Sequence, residues 1–224
     1  MKIKMKLGFL LATLLLIACP ALAQYRTRVH VIMVQGPDML PSTFLPMTWD
    51  AARDHLFRAG IVAKATRLTA MQDIAPQLFT LETRRLHLYA WQKYARRNKF
   101  NKKVDQVHII APPIYENGFN WFAGMAYGLC QSGANAISIS NAGVDTSGTI
   151  RITHSAIGIA HEMAHILGAK HTETTDLMNP QALELVKTLY PLPVAASTIK
   201  EIIKCQQRRK VGRKVAVRAA NFSQ

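Results

Sequence analysis

The chain has 224 residues, of which 28 are Lys or Arg and 13 are Asp or Glu, so its formal charge at pH 7 is +15. This length suits one ordinary globular domain, or two small ones, with room for a hydrophobic core. Charged residues make up 18% and hydrophobic residues 49%, which excludes a disordered or fibrous chain. The basic excess favours an anionic partner such as nucleic acid, a membrane surface or a cell-wall polymer, without choosing among them.

Residues 1–23 have the pattern of a secretory signal peptide. Three lysines precede an apolar run over residues 7–18, and small residues suit cleavage before Gln24. A membrane anchor needs about 20 apolar residues, more than this run provides. Cys19 ends a lipobox-like sequence, so lipid anchoring at Cys19 is the alternative. Either cut removes the three lysines and lowers the formal charge to +12. Export to the periplasm or the medium argues against nucleic acid as a partner.

The mature chain alternates strand and helix patterns as in a single α/β domain, which we place at residues 24–207. In chain order the sequence predicts a strand at 25–34, a helix at 49–59, a strand at 61–68, a helix at 81–95, a central strand at 104–110, a strand at 136–140, and helices at 153–167 and 197–207. This alternation favours a largely parallel sheet with helices packed on it. Residues 208–224 follow as a basic C-terminal tail.

Cysteine usage points to at most one disulfide. Cys19 leaves with the signal peptide or carries lipid, so Cys130 and Cys205 remain in the mature chain. In an oxidising compartment such a pair suggests a disulfide, and two buried thiols are the alternative.

A His-Glu-x-x-His-x-x-Gly-x-x-His motif begins at His161. His161 and His165 are four residues apart, so a helix lets both imidazoles bind a single ion. Gly168 can adopt the backbone angles that end the helix, which allows His171 to return as a third ligand. Three neutral imidazoles leave the fourth tetrahedral position of a zinc ion open for water, as in catalytic sites. Glu162 points about 100° around the helix from His161 and is the candidate general base.

Two alternatives to a catalytic site stay open. Core histidines without a metal would require three imidazoles and a carboxylate to be buried together, which is costly. A zinc-binding or envelope-binding module that has lost catalysis would keep the same ligands. The remaining histidines are scattered, and we expect structural, capping or surface roles for them: His30, His55, His87, His108 and His154.

The zinc motif and the methionine that follows it resemble the metzincin metallopeptidases. Their signature is this elongated motif followed by a methionine turn, which residues 176–180 resemble. The resemblance implies that Met178 forms the hydrophobic floor beneath the metal. Residues 124–130, Gly-Met-Ala-Tyr-Gly-Leu-Cys, are similar to a segment of the adamalysin/reprolysin branch whose cysteine pairs with one on the C-terminal helix. The resemblance therefore implies a Cys130–Cys205 disulfide.

The resemblance also implies an α/β (α+β) fold: a twisted, mostly parallel sheet with an antiparallel edge strand, an active-site helix, the methionine turn and a C-terminal helix. It implies a zinc endopeptidase that cleaves protein or peptide substrates. We expect a monomer, although the sequence leaves the oligomeric state open. We expect substrate along an edge strand near residues 136–140 and a side-chain pocket lined by residues 179–185. The sequence departs from the family at Thr172, where adamalysins usually carry Asp and matrixins Ser. Pro180 replaces the switch tyrosine of astacins and serralysins.

Basic residues form two clusters. The C-terminal cluster consists of Arg208, Arg209, Lys210, Arg213, Lys214 and Arg218, and the second of Lys93, Arg96, Arg97, Lys99, Lys102 and Lys103. Such runs are typical of a solvated face or a frayed tail. The alternative is docking onto anionic envelope polymers or lipid headgroups.

Overall fold

The fold is given by a computed structural model that describes residues 25–35, 42–72, 104–111, 115–116, 119–120, 124–130, 136–141, 152–182 and 192–221. The side chains of residues 210–221 are not among those described. The predicted signal peptide at 1–23, the predicted helix at 81–95 and the basic cluster at 93–103 lie outside the described residues.

A five-stranded sheet forms the centre of the domain. Its strands are β1 (Tyr25–Gln35), β2 (Ile61–Gln72), β3 (Gln106–Ala111), β6 (Gly124–Tyr127) and β7 (Ile137–Asn141). Their spatial order is β2-β1-β3-β7-β6, and only the β6–β7 pair is antiparallel. A separate antiparallel pair joins β4 (Tyr115–Glu116) and β5 (Phe119–Asn120). The prediction of a mostly parallel sheet with an antiparallel edge strand is confirmed.

Three helices accompany the sheet among the described residues: α1 (Leu45–Arg58), α2 (Ile152–Ile166) and α3 (Ala196–Asn221). The first helix begins before the predicted residue 49 because Pro46 falls in its first turn, where a missing N–H costs no hydrogen bond. The last helix continues past the predicted end at Gln207, so the whole basic C-terminal cluster lies on it. No helix in these ranges has the length and apolar character needed to span a bilayer.

The hydrophobic core lies between the sheet and the first two helices. Alternate residues of β1 share one face of the sheet and pack with apolar residues of α1 and α2, including Val29, Val31, Met33, Trp49, Leu56, Ile157 and Met163. Every residue of α2 from Ser155 to Ala164 is buried. The helix that carries the histidine motif is therefore fixed inside the domain.

The edge strand differs from the prediction. Strand β7, predicted at 136–140 as the edge, lies between β3 and β6, and β6 is the edge. The Ser residues of β7 alternate as on a half-exposed strand, yet they are fully buried. The reason is a buried histidine on β3: the His108 ring nitrogens lie 2.7 Å from Ser138 Oγ and 2.9 Å from Ser140 Oγ.

Candidate metal centre

Three imidazoles converge at the C-terminal end of α2. The Nε2 atom of His165 lies 3.1 Å from His161 Nε2 and 3.1 Å from His171 Nε2. The third Nε2–Nε2 distance, from His161 to His171, is 3.3 Å. Among the residues that the structure describes, these three form the one group of metal-binding side chains with three or more members.

Two of the imidazoles are held by backbone carbonyl groups. His161 Nδ1 donates a hydrogen bond to Leu177 O at 2.6 Å, and His165 Nδ1 donates to Ala169 O at 2.8 Å. A carbonyl oxygen can only accept, so the proton of each neutral ring lies on Nδ1. Each Nε2 is then left with a free lone pair directed at the centre of the group.

This arrangement fits a tetrahedral zinc ion. Zinc binds imidazole nitrogen at about 2.0–2.1 Å, so neighbouring ligand atoms of a tetrahedron lie about 3.3 Å apart. The three observed distances of 3.1, 3.1 and 3.3 Å agree with that separation. Three protein ligands also leave one position open.

Burial keeps the imidazoles of His161 and His165 neutral. Burial, then the neighbouring His165, lowers the pKa of His161 to about 4, although the Leu177 carbonyl and the charge of Asp176 act in the opposite direction. Burial also lowers the pKa of His165. Metal ligation requires the unprotonated ring, so both side chains are ready to bind a cation at neutral pH.

Glu162, which follows His161 directly in the chain, is buried, with 6% of the residue exposed. Burial raises its pKa to about 8 because the charged form loses hydration. A raised pKa makes the carboxylate a stronger proton acceptor, and a cation at the three imidazoles favours its ionised form.

Gly168 ends the helix and allows the chain to return to His171. Its φ of 98° lies in the left-handed region that favours glycine. A Cβ atom at this position would also lie 2.8 Å from Cys205 Cβ. Cys205 is joined to Cys130 by a disulfide with a Cα–Cα distance of 5.5 Å. The missing side chain of Gly168 thus makes room for the covalent link between the turn after β6 and α3.

The segment after the third histidine folds back under the site. Met178 is fully buried in the core, and its carbonyl accepts a hydrogen bond from Thr172 N at 3.1 Å.

Of the predicted pocket segment 179–185, residues 183–185 lie outside the described residues. The other described histidines outside α2, which are His30, His55 and His108, are buried away from the three-histidine group.

Sequence reasoning missed the roles of three residues around the site: Gly124, Asp176 and Arg209. Gly124 stands within a recognised motif, but its contact with Glu162 depends on how two distant segments meet. Asp176 also stands within a recognised motif, and its side-chain contacts are local. Arg209 was counted with the basic tail. Threonines precede Asp176 at positions 172, 174 and 175, and a carboxylate near such residues indicates local side-chain hydrogen bonds.

The Reprolysin_5 model of metallopeptidase family M12 matches residues 66–188, just over half of the chain. The chain belongs to metallopeptidase family M12. The resemblance to metzincins, with the reprolysin branch as the nearest part of that clan, is therefore confirmed. This M12 metallopeptidase is a hydrolase of the endopeptidase type, and its substrates are proteins or peptides. A search of curated protein sequences found no match.

Solved structures show the same fold. Archaemetzincin from Methanopyrus kandleri superposes with a TM-score of 0.55 and 14% identity, over 81% of this chain and 96% of that one. Metalloproteinase-II from Bacteroides fragilis superposes with a TM-score of 0.53 and 15% identity, over 81% of this chain. The matched region spans 53% of the length of the Bacteroides protein.

Proposed function

We propose that this M12 metallopeptidase is an exported zinc endopeptidase in which His161, His165 and His171 hold the metal and Glu162 is the general base. One observation carries the proposal: the three Nε2 atoms converge at 3.1–3.3 Å from one another. The buried carboxyl group of Glu162, which follows His161 directly in the chain, supports its role as the base. The donor set supports zinc as the metal, because zinc accepts neutral imidazoles in a tetrahedral arrangement with an open fourth position.

The side chains divide the work of peptide hydrolysis. When bound, a zinc ion supplies Lewis acidity, which acidifies a water molecule and polarises the substrate carbonyl. The Glu162 carboxylate accepts a proton from that water as the water oxygen bonds to the peptide carbon. Glu162 then donates this proton to the amine nitrogen as the carbon–nitrogen bond breaks.

Strand β6 supports a binding mode for an extended substrate. It lies at the edge of the described sheet, and Tyr127 on it is 51% exposed. An edge strand presents unpaired N–H and C=O groups, to which an extended peptide can add as a further strand. We propose that substrate binds along β6, with the peptide bond to be cleaved near Glu162.

Export is a proposal that rests on residues 1–23, outside the described residues, and on the disulfide. Cys130 and Cys205 are bonded, and such bonds persist in oxidising compartments such as the periplasm or the extracellular medium. Fractionation of cells that express the full chain tests this proposal. We expect mature protein beginning at Gln24 in the periplasm or medium. Full-length protein in the cytoplasm would contradict export. Protein that begins at a lipid-modified Cys19 would show that the exported chain is anchored to a membrane.

The basic tail supports a weaker proposal, which is docking onto an anionic envelope surface. Arg209 has to be spared in any test because its guanidinium contacts the folded domain. We propose replacing the other tail cations with glutamine: Arg208, Lys210, Arg213, Lys214 and Arg218. Weaker sedimentation with anionic lipid vesicles at low salt would support docking, and unchanged sedimentation would refute it.

Cleavage of a peptide library tests the zinc assignment. We expect endopeptidase activity that disappears when a chelator removes the metal and returns when one equivalent of zinc is added. Activity that survives complete metal removal would overturn the metal-dependent mechanism. Zinc bound tightly without any cleavage would instead identify an inactive zinc-binding module.

A further inference from the structure

We propose that Asp176 is a positioning residue for the metal centre: its buried carboxylate holds the segment 172–178 so that His161 and His171 face one ion. This inference rests on the metal-binding part of the proposed function. The residue lies between the third histidine and the buried methionine, and it is 2% exposed.

The carboxylate of Asp176 accepts three hydrogen bonds within its own segment. Its Oδ1 accepts from Thr172 Oγ1 at 2.6 Å and from Met178 N at 2.8 Å. Its Oδ2 accepts from Thr174 Oγ1 at 2.7 Å. This single side chain therefore connects the two ends of the segment, Thr172 and Met178. Hydrogen bonds to an ionised acceptor are also stronger than those between neutral groups.

The first link to the metal centre runs through Leu177, which follows Asp176 directly. The Leu177 carbonyl accepts the hydrogen bond from His161 Nδ1, and the Leu177 N–H donates to Pro193 O at 2.9 Å. The amide of the next residue, Met178, is held by Asp176. The carbonyl that orients His161 therefore lies between two backbone groups whose positions are fixed.

The second link runs through Thr172, which follows His171 directly. Thr172 donates from its backbone N to Met178 O at 3.1 Å and from its hydroxyl to Asp176. Both bonds tie the residue beside the third histidine to the buried turn.

The charge of Asp176 acts in the same sense as its hydrogen bonds. The buried Asp176 carboxylate interacts electrostatically with His161. A negative charge there favours the binding of a cation by the histidines, because the surroundings screen the attraction less than water does. Loss of this side chain should weaken metal binding both by loosening the ligands and by removing a nearby negative charge.

The test is the zinc dissociation constant, measured by competition with a chromophoric chelator. Asp176→Asn and Asp176→Ala are compared with Glu173→Gln, which removes an exposed carboxylate from the same segment. We expect the Asp176 variants to bind zinc about 10- to 100-fold more weakly, the range found when partners of metal ligands are removed. Glu173→Gln should match the parent.

A milder variant keeps the test valid if the Asp176 variants do not fold. Thr172→Val removes one of the three hydrogen bonds at constant shape, so we expect an intermediate loss of zinc affinity in protein that circular dichroism shows to be folded. Zinc affinity equal to the parent in Thr172→Val and in a folded Asp176 variant would overturn the proposal.

Hydrogen exchange of the metal-free proteins separates this inference from the proposed function. We expect the backbone amide of Met178 to exchange faster in Asp176→Asn than in the parent, and no change in Glu173→Gln. Unchanged exchange would count against Asp176, whatever the metal affinity. A parent protein that does not bind zinc would overturn the proposed function instead, while the exchange comparison would still report on the segment.

Discussion

Gly124 lies against Glu162, and this contact leaves no space for a side chain at position 124. A Cβ atom built on Gly124 would lie 2.4 Å from Glu162 Cγ and 2.5 Å from Glu162 Oε1, closer than real Cβ atoms approach. Gly124 is the first residue of β6, the edge strand. The candidate base is therefore packed directly against the strand proposed to bind substrate.

We expect Gly124→Ala to lower kcat by about 10- to 100-fold, because an added methyl group must displace the Glu162 carboxyl, and small misplacements of reacting groups have effects of this size. Zinc content should not change. The measurement is kcat and KM with a peptide substrate, together with metal analysis of the same sample.

A shorter acid at position 162 provides the control for Gly124→Ala. Glu162→Asp lacks one methylene and leaves more room at position 124. Adding Gly124→Ala to this variant should therefore reduce the remaining kcat by less than about threefold. The effect of Gly124→Ala would then depend on the residue at position 162, as is usual for residues in contact. If Gly124→Ala has the same relative effect in both backgrounds, the contact with Glu162 does not explain it.

Arg209 joins three parts of the domain through its guanidinium. It donates from Nε to Cys130 O at 3.1 Å, from Nη2 to Ile166 O at 3.0 Å and from Nη1 to Tyr25 Oη at 3.4 Å. Ile166 is the last residue of α2, whose terminal carbonyl groups lack partners within the helix. A cation at this position also interacts favourably with the helix dipole.

Arg209→Met should therefore lower the free energy of unfolding by about 1.5–3 kcal/mol, the usual cost of losing hydrogen bonds to a charged group. The neighbouring Arg208 is exposed, and Arg208→Met should cost less than about 0.5 kcal/mol. Urea denaturation of both variants checks this prediction. Equal stabilities would show that Arg209 contributes only as a surface charge.

His108 makes the stability of the domain depend on acidity. Burial lowers its pKa from 6.5 to about 3, so between these pH values the unfolded chain binds a proton that the folded chain does not. The free energy of unfolding should therefore fall as the pH falls through this window, by up to about 1.4 kcal/mol per pH unit from this residue.

Replacement by a neutral amide tests the role of His108. Denaturation at pH 7, 6, 5 and 4 should give a smaller loss of stability on acidification for His108→Gln than for the parent. Ser138→Ala is the matched control, because it removes a partner of His108 and leaves the titrating ring. Parallel pH profiles for the parent and His108→Gln would show that His108 is not responsible.

Much of the fold could be predicted because local patterns determine it. Alternating Val and Ile residues predict β1, and apolar residues at helical spacing predict α1. The position of β7 could not be predicted, since the partner of its serines is a histidine 30 residues earlier on another strand. A sequence pattern shows which residues are polar and does not show which of them meet.

The same distinction applies to the site. The convergence of His161, His165 and His171 follows from helix geometry and one glycine, so the sequence alone predicts that these side chains meet. Gly124 contacts Glu162, which is 38 residues further along the chain. Arg209 contacts Ile166, which is 43 residues earlier in the chain. Only the folded chain reveals such contacts. Tertiary packing therefore decides which residues support the candidate base and ligands.

The central claim, that Glu162 is the general base of a three-histidine zinc site, is tested most directly by Glu162→Gln. This change keeps the size of the side chain and removes its ability to accept a proton. We expect bound zinc to stay at one equivalent while kcat/KM for a cleaved peptide falls by about 10²- to 10⁴-fold, the usual contribution of general acid–base catalysis. A Glu162→Gln enzyme with full zinc content and the kcat/KM of the parent would contradict the account.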